Sequence, residues 1–210
     1  MKKLLTGVAT AAIVIGSMQG AAQAANVPIW IGIGSAAILA AGILGETSDI
    51  GDIHVGNGNT DLPLSLTVGA GYYNILNDKG DTSHTDRDDG GAGVGRVELR
   101  FNTEFLRIRP FIGIEGTTDS ASYIYGGGML DVRFGDHFIL SPNAAVGAYF
   151  NGDGREMGST LEFRTGVEAA WEFDNKMRVG AAFHHISNAG IGDVNPGVET
   201  LTLNFLIPLN

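Results

Sequence analysis

Leu161-Glu162-Phe163-Arg164-Thr165-Gly166-Val167-Glu168-Ala169-Ala170-Trp171-Glu172-Phe173 alternates in character from end to end. Leu161, Phe163, Thr165, Val167, Ala169, Trp171 and Phe173 fall on one face; Glu162, Arg164, Gly166, Glu168, Ala170 and Glu172 fall on the other. A period of two is that of a β-strand, whose successive side chains point to opposite faces. Leu106 to Glu115 repeats it, with Leu106, Ile108, Pro110, Ile112 and Ile114 against Arg107, Arg109, Phe111, Gly113 and Glu115. Working outward, eight such segments are read at 64–74, 92–102, 105–116, 122–134, 137–150, 159–173, 177–188 and 198–209.

Segments of about ten residues or more suit tilted strands that cross a bilayer. A soluble sandwich also alternates, but it gives no reason for two features. The apolar face is continuous, and the opposite face carries charges of both signs: Glu98, Arg100, Arg107, Arg109, Glu115, Asp131, Arg133, Glu162, Arg164, Glu168 and Glu172. The connections are also asymmetric. Asn102-Thr103-Glu104, Gly135-Asp136 and Asp174-Asn175-Lys176 are short, whereas 75–91, 151–158 and 189–197 are long and polar, with only 117–121 short at that end. Bacterial outer-membrane barrels have short periplasmic turns and longer external loops. The expectation is therefore an eight-stranded antiparallel transmembrane β-barrel over 64–210, with the charges paired inside. A barrel of this size encloses only side chains, so a pore or an interior catalytic cluster is set aside.

Ahead of the barrel, Lys2-Lys3, an apolar run from Leu4 to Ile15 and Ala22-Gln23-Ala24 read as a secretory signal over 1–24. Residues 25–63 form an apolar, Gly-rich N-terminal extension. Within it, 27–45 is uncharged and long enough to cross a membrane, but its Gly and Ala content suits a short helix or extended segment at the barrel or membrane surface. Loss of Lys2 and Lys3 would take the net charge from −10 to −12, which argues against a nucleic-acid partner. There is no cysteine, so an exported chain gains nothing from disulfides. The 32 glycines lie within alternating segments and not in a low-complexity tract. The chain ends Leu209-Asn210, whereas outer-membrane barrels often end in an aromatic residue.

Chemistry concentrates near the C-terminus, in Phe183-His184-His185-Ile186-Ser187-Asn188-Ala189-Gly190 and Ile191-Gly192-Asp193-Val194-Asn195-Pro196-Gly197-Val198-Glu199. His185 and Ser187 are two apart and share a strand face; Glu199 opens the next strand after a Gly-rich, Pro-containing connection. In the seventh segment Val179, Ala181 and Phe183 are the outward row, and His185 and Ser187 continue it. Glu199 heads the outward row of Leu201, Leu203, Phe205, Ile207 and Leu209. A serine, a histidine and a carboxylate would thus face lipid at the external rim, the depth of outer-leaflet ester bonds. Unpaired polar groups are costly deeper in hydrocarbon.

His185-x-Ser187-Asn188, with Asn195-Pro196-Gly197 and Glu199 downstream, resembles the outer-membrane lipid A 3-O-deacylases of the PagL type. The diagnostic stretch is 183–199. The resemblance implies an eight-stranded barrel in the bacterial outer membrane with its site toward the outer leaflet. It implies a Ser-His-Glu triad that hydrolyses the ester-linked 3-O-(hydroxy)acyl chain of lipid A. Lipid A or lipopolysaccharide would be the substrate, no metal or organic cofactor would be needed, and a homodimer is left open. Ser187 would be the nucleophile, His185 the base and then the acid, and Glu199 the group that orients His185. Asn195 would bind the oxyanion by its side chain, as in the family, with backbone N–H groups of Asn188, Ala189 or Gly190 as second donors. Two other functions compete: a non-catalytic barrel with a structural or adhesive role, and an acyltransferase with an interior acyl pocket. The charged inward rows oppose the latter.

Other features carry less. His184 points inward and reads as a hydrogen-bonded interior residue. His54, His84 and His137 lack metal-ligand spacing. The acidic stretch Asn77 to Asp89 reads as a solvated external loop before a cation site, and Gly91-Ala92-Gly93-Val94-Gly95 lacks the context of a nucleotide loop.

Overall fold

The computed structural model describes residues 53–56, 62–76, 91–102 and 107–209. The expected signal, residues 27–45, the acidic loop with His84, and Asn210 lie outside them. The described residues form ten strands: β1 (Ile53–Val55), β2 (Leu64–Tyr73), β3 (Ala92–Phe101), β4 (Arg109–Thr117), β5 (Ser122–Met129), β6 (Val132–Phe134), β7 (Phe138–Phe150), β8 (Leu161–Glu172), β9 (Arg178–Ser187) and β10 (Val198–Leu209). Eight of them close a ring, each antiparallel to the next: β2, β3, β4, β5, β7, β8, β9 and β10, with β10 returning to β2.

β5 and β6 are one stave of the wall. Both pair with β7 in a single register, and the ladder is interrupted only at Leu130 and Asp131. The physical reason is Pro142 on the facing strand. Leu130 N–H donates to its carbonyl at 3.1 Å, but proline has no N–H to return the bond. Asp131 instead turns inward and accepts from Ser141 Oγ at 2.8 Å.

The third segment starts later than its pattern. Arg107 has φ 59°, a left-handed conformation that bends the chain out of the ladder, so pairing begins at Arg109. Arg107 therefore stands outside the inward row of the β4 ladder. β1 pairs with β6 where β4 has turned away, and Gly56 N–H donates to Asp131 O at 2.9 Å.

The wall sorts side chains as the alternation requires. Leu203, Ile124, Ile112, Ile114, Trp171, Val179 and Leu201 stand exposed on the outside, the composition of a lipid-facing surface. Inside, Arg96, Arg100, Arg109, Arg133, Arg164 and Arg178 are buried with Glu98, Glu115, Asp131, Glu162, Glu168 and Glu172. Arg100 grips Glu168 through two bonds of 2.8 Å and Glu98 at 3.0 Å. Arg164 joins Glu98 to Glu115 at 2.9 and 2.8 Å and lies 4.0 Å from the Tyr125 ring centroid. Arg178 bridges Asp131 and Glu172, with Arg109 on Asp131 and Arg133 on Glu172. Buried charges are tolerated when paired and hydrogen-bonded in this way. Glu162 is the departure: neither of its carboxylate oxygens has a hydrogen-bond partner.

Toward the end bearing the 188–197 connection, the interior becomes apolar. Tyr73, Val94, Tyr123, Tyr149, Met157, Ile186 and Val198 pack there. Ile186 and Val198 are fully buried. They are the inward residues that separate the outward-facing positions of β9 and β10, and so fix the strands from behind.

Candidate active site

The candidate site grows from one ladder. Glu199 is the direct partner of His185, and Val198 of Ile186, in the β9–β10 pairing. Directly opposed residues share a face, so the register alone brings carboxylate and imidazole together on the outer wall. His185 Nδ1 lies 2.9 Å from Glu199 Oε1. Their side chains are 15% and 8% exposed, so the pair is shielded although it faces outward. The Glu199 backbone is held too: its carbonyl accepts from Ile75 N–H at 3.2 Å, where the chain leaves β2.

An imidazole that donates Nδ1–H to a carboxylate keeps its lone pair on Nε2. The ring direction follows from Gly197. A methyl built on Gly197 would lie 2.8 Å from His185 Cε1 and 3.5 Å from Nε2. The far edge of the ring therefore lies over Gly197, one step along the ladder toward the loop. Ser187 occupies the matching step on β9, the last residue of that strand, with its side chain in the same outward row as His185. Thr165 and Phe163 of β8 are the partners of His185 and Ser187 on the other side.

The connection after Ser187 is tightly tied. Asn188 is fully buried and engaged at every polar group. Its Nδ2 donates to Met157 O at 2.8 Å and Val194 O at 2.7 Å, its Oδ1 accepts Gly190 N–H at 2.8 Å, and its carbonyl accepts Ile191 N–H at 3.1 Å. Ala189 and Gly190 have φ 55° and 79°, the pattern of a type I′ turn. Asn188 N–H donates to Asn195 Oδ1 at 3.1 Å, which turns the donor end of the Asn195 amide away from that N–H. Two of the three backbone groups considered as oxyanion donors, Asn188 and Gly190, thus already donate within the loop.

All the residues singled out from the sequence fall in this one hairpin. Met157 and Val194, whose carbonyls hold Asn188, were not singled out. Backbone carbonyls carry no side-chain signature, and only the Gly-rich character of 151–158 hinted at a second loop. His184 lies inside the barrel, 3.1 Å from Arg96 through Nδ1, and takes no part in the outer face.

The profile of the family described as "Lipid A 3-O-deacylase (PagL)" matches residues 50–208. The lipid A deacylase PagL of Pseudomonas aeruginosa is 28% identical over 135 residues, an alignment that covers 61% of this chain and 63% of that protein. The chain thus spans less than two thirds of the length of this curated relative. The crystal structure of the outer membrane enzyme PagL is 19% identical and aligns with a TM-score of 0.54, over 69% of this chain and 99% of that one. That likeness is one of fold.

Proposed function

The chain belongs to the lipid A 3-O-deacylase family, and from that premise we propose that it is an outer-membrane esterase that removes the 3-O-(hydroxy)acyl chain of lipid A. The observation that carries the reading is the 2.9 Å bond between His185 Nδ1 and Glu199 Oε1 on the outer wall, with Ser187 in the same row at the rim.

In this mechanism His185 Nε2 takes the proton of Ser187 as Oγ attacks the ester carbonyl carbon. Glu199 stabilises the imidazolium that forms. The oxyanion of the tetrahedral intermediate is met by the Asn195 side-chain amide. The Ala189 N–H is the second donor, since its two neighbours serve the loop. The intermediate collapses as His185 returns the proton to the departing 3-oxygen of the sugar. Water, deprotonated by the same imidazole, then cleaves the acyl–Ser187 ester and releases the hydroxy acid. The lipid-facing rim suits a substrate whose ester lies just below the headgroups.

The test compares lipid A from cells expressing the chain and its Ser187→Ala variant by mass spectrometry. The wild type should yield lipid A lighter by one hydroxyacyl group, and the variant should not. If the two acyl patterns are the same while the wild-type barrel is folded and exported, the hydrolase reading fails, and the non-catalytic barrel takes its place.

A further inference from the structure

We propose that Gly197 is a positioning residue for His185: the space left by its missing side chain is the seat of the imidazole edge that carries Nε2. This deepens the triad reading and rests on it. A β-carbon at 197 would stand 2.8 Å from Cε1 and 3.5 Å from Nε2, while its nearest backbone neighbour, Ile186 O, would be at 3.6 Å. The backbone can therefore accept the extra atom. What must give is the far end of the His185 side chain, which can swing about its two torsions at little cost to the fold. That movement would displace Nε2 from its present place beside Gly197 or stretch the Nδ1 bond to Glu199. A displacement of about 1 Å in a reacting group costs on the order of 10²-fold in rate, and a general base as a whole contributes about 10²- to 10⁴-fold.

A second property of Gly197 has to be separated from the first. Its φ is 63°, a conformation that side chains other than asparagine rarely adopt. Alanine at 197 would combine backbone strain with the contact on the ring. Asparagine relieves most of the strain and keeps the contact. Gly135, in the turn between β6 and β7, supplies the converse control. Its φ is 62°, and a β-carbon there would meet nothing within 4 Å.

The experiment uses the full barrel refolded in detergent, with circular dichroism and thermal melting to establish folding. Gly197→Ala, Gly197→Asn, Gly135→Ala and Ser187→Ala are compared with the wild type for kcat and KM on purified lipid A. The rate at which a fluorophosphonate modifies Ser187 is measured as well. That reaction joins Oγ to phosphorus and expels fluoride, with the proton taken by His185, so it reports the base without the lipid. Both Gly197 variants should lose kcat by about 10²-fold with little change in KM, and should slow the phosphonylation in parallel. Gly135→Ala should match the wild type in both assays. A folded Gly197→Asn with wild-type kcat, beside an inactive Ser187→Ala, would overturn the role of Gly197 and leave the triad standing. An active Ser187→Ala would overturn the triad and the proposal with it.

Discussion

Glu199 and His185 are direct cross-strand partners, and the bond between their side chains is a consequence of backbone register. Six further pairs between Thr200↔His184 and Phe205↔Val179 hold that register along the wall. A slip by one residue would send one partner to the barrel interior. The bond is therefore secured by the strand pairing of the whole hairpin and not by the loop between the strands.

The first prediction follows from that security. Glu199→Ala should leave the register intact, because the ladder below it is unchanged. It should lower kcat by on the order of 10²- to 10⁴-fold, since the imidazole loses both its orientation and its counter-charge. Glu199→Gln should fall in the same range, because the amide carries no charge to stabilise the imidazolium. Kinetics on lipid A in mixed micelles, with melting as the control for folding, would decide. Wild-type activity in folded Glu199→Ala would remove the carboxylate from the mechanism.

A second prediction concerns the interior. Arg100 is almost fully buried and holds Glu168 and Glu98. Arg100→Met leaves Glu168 with Asn204 Nδ2 at 2.7 Å as its remaining side-chain partner. Breaking one side of a buried ion pair costs about 3–5 kcal/mol. Arg100→Met with Glu168→Met should recover most of that loss, because no uncompensated charge remains. Urea unfolding in lipid vesicles measures both. A single variant as stable as the wild type would show that the network contributes nothing to stability.

The eight staves were legible because a barrel wall sorts apolar from polar with a strict period of two, and each strand reports that sorting for itself. The side of the wall was legible as well: His185, Ser187 and Glu199 could be assigned outward from Val179 and Leu203 alone. What escaped was local geometry without a repeating signature. β1 is three residues long and has no measurable period. The left-handed turn at Arg107 looks in sequence like one more residue of an alternating strand. The break at Leu130 and Asp131 within 122–134 was not read either, because Pro142 marks it only from the facing strand, once the pairing partner is known. Within the site, the engagement of Asn188 and Gly190 N–H groups depends on a type I′ turn and on carbonyls from a second loop, neither of which residue identities reveal.

A third prediction tests the outer wall as a lipid-facing surface. Leu203 is 71% exposed and lies mid-strand in β10. On a water-facing sheet an exposed Leu→Arg change would be close to neutral. Facing the bilayer midplane, Leu203→Arg should cost about 2–4 kcal/mol. Leu201→Arg, nearer the rim, should cost less. Reversible unfolding in vesicles gives both values, and equal, negligible costs would put this face in water.

The last prediction separates two tasks of Asn195. Its Oδ1 accepts Asn188 N–H, which shapes the loop, and the proposed mechanism assigns its Nδ2 to the oxyanion. Asn195→Ala removes both, so on its own it cannot tell catalysis from loop order. Asn195→Asp can. The carboxylate keeps an acceptor for Asn188 N–H and so preserves the loop, but it puts negative charge where a donor is required. If the amide binds the oxyanion, both variants should lose kcat by about 10²- to 10³-fold, the usual cost of removing one such donor. The aspartate should be at least as impaired as the alanine despite its better-ordered loop. If the residue is only a brace, Asn195→Asp should retain most of its activity while Asn195→Ala does not. The ratio of the two kcat values therefore tells which of the two tasks the Asn195 side chain performs.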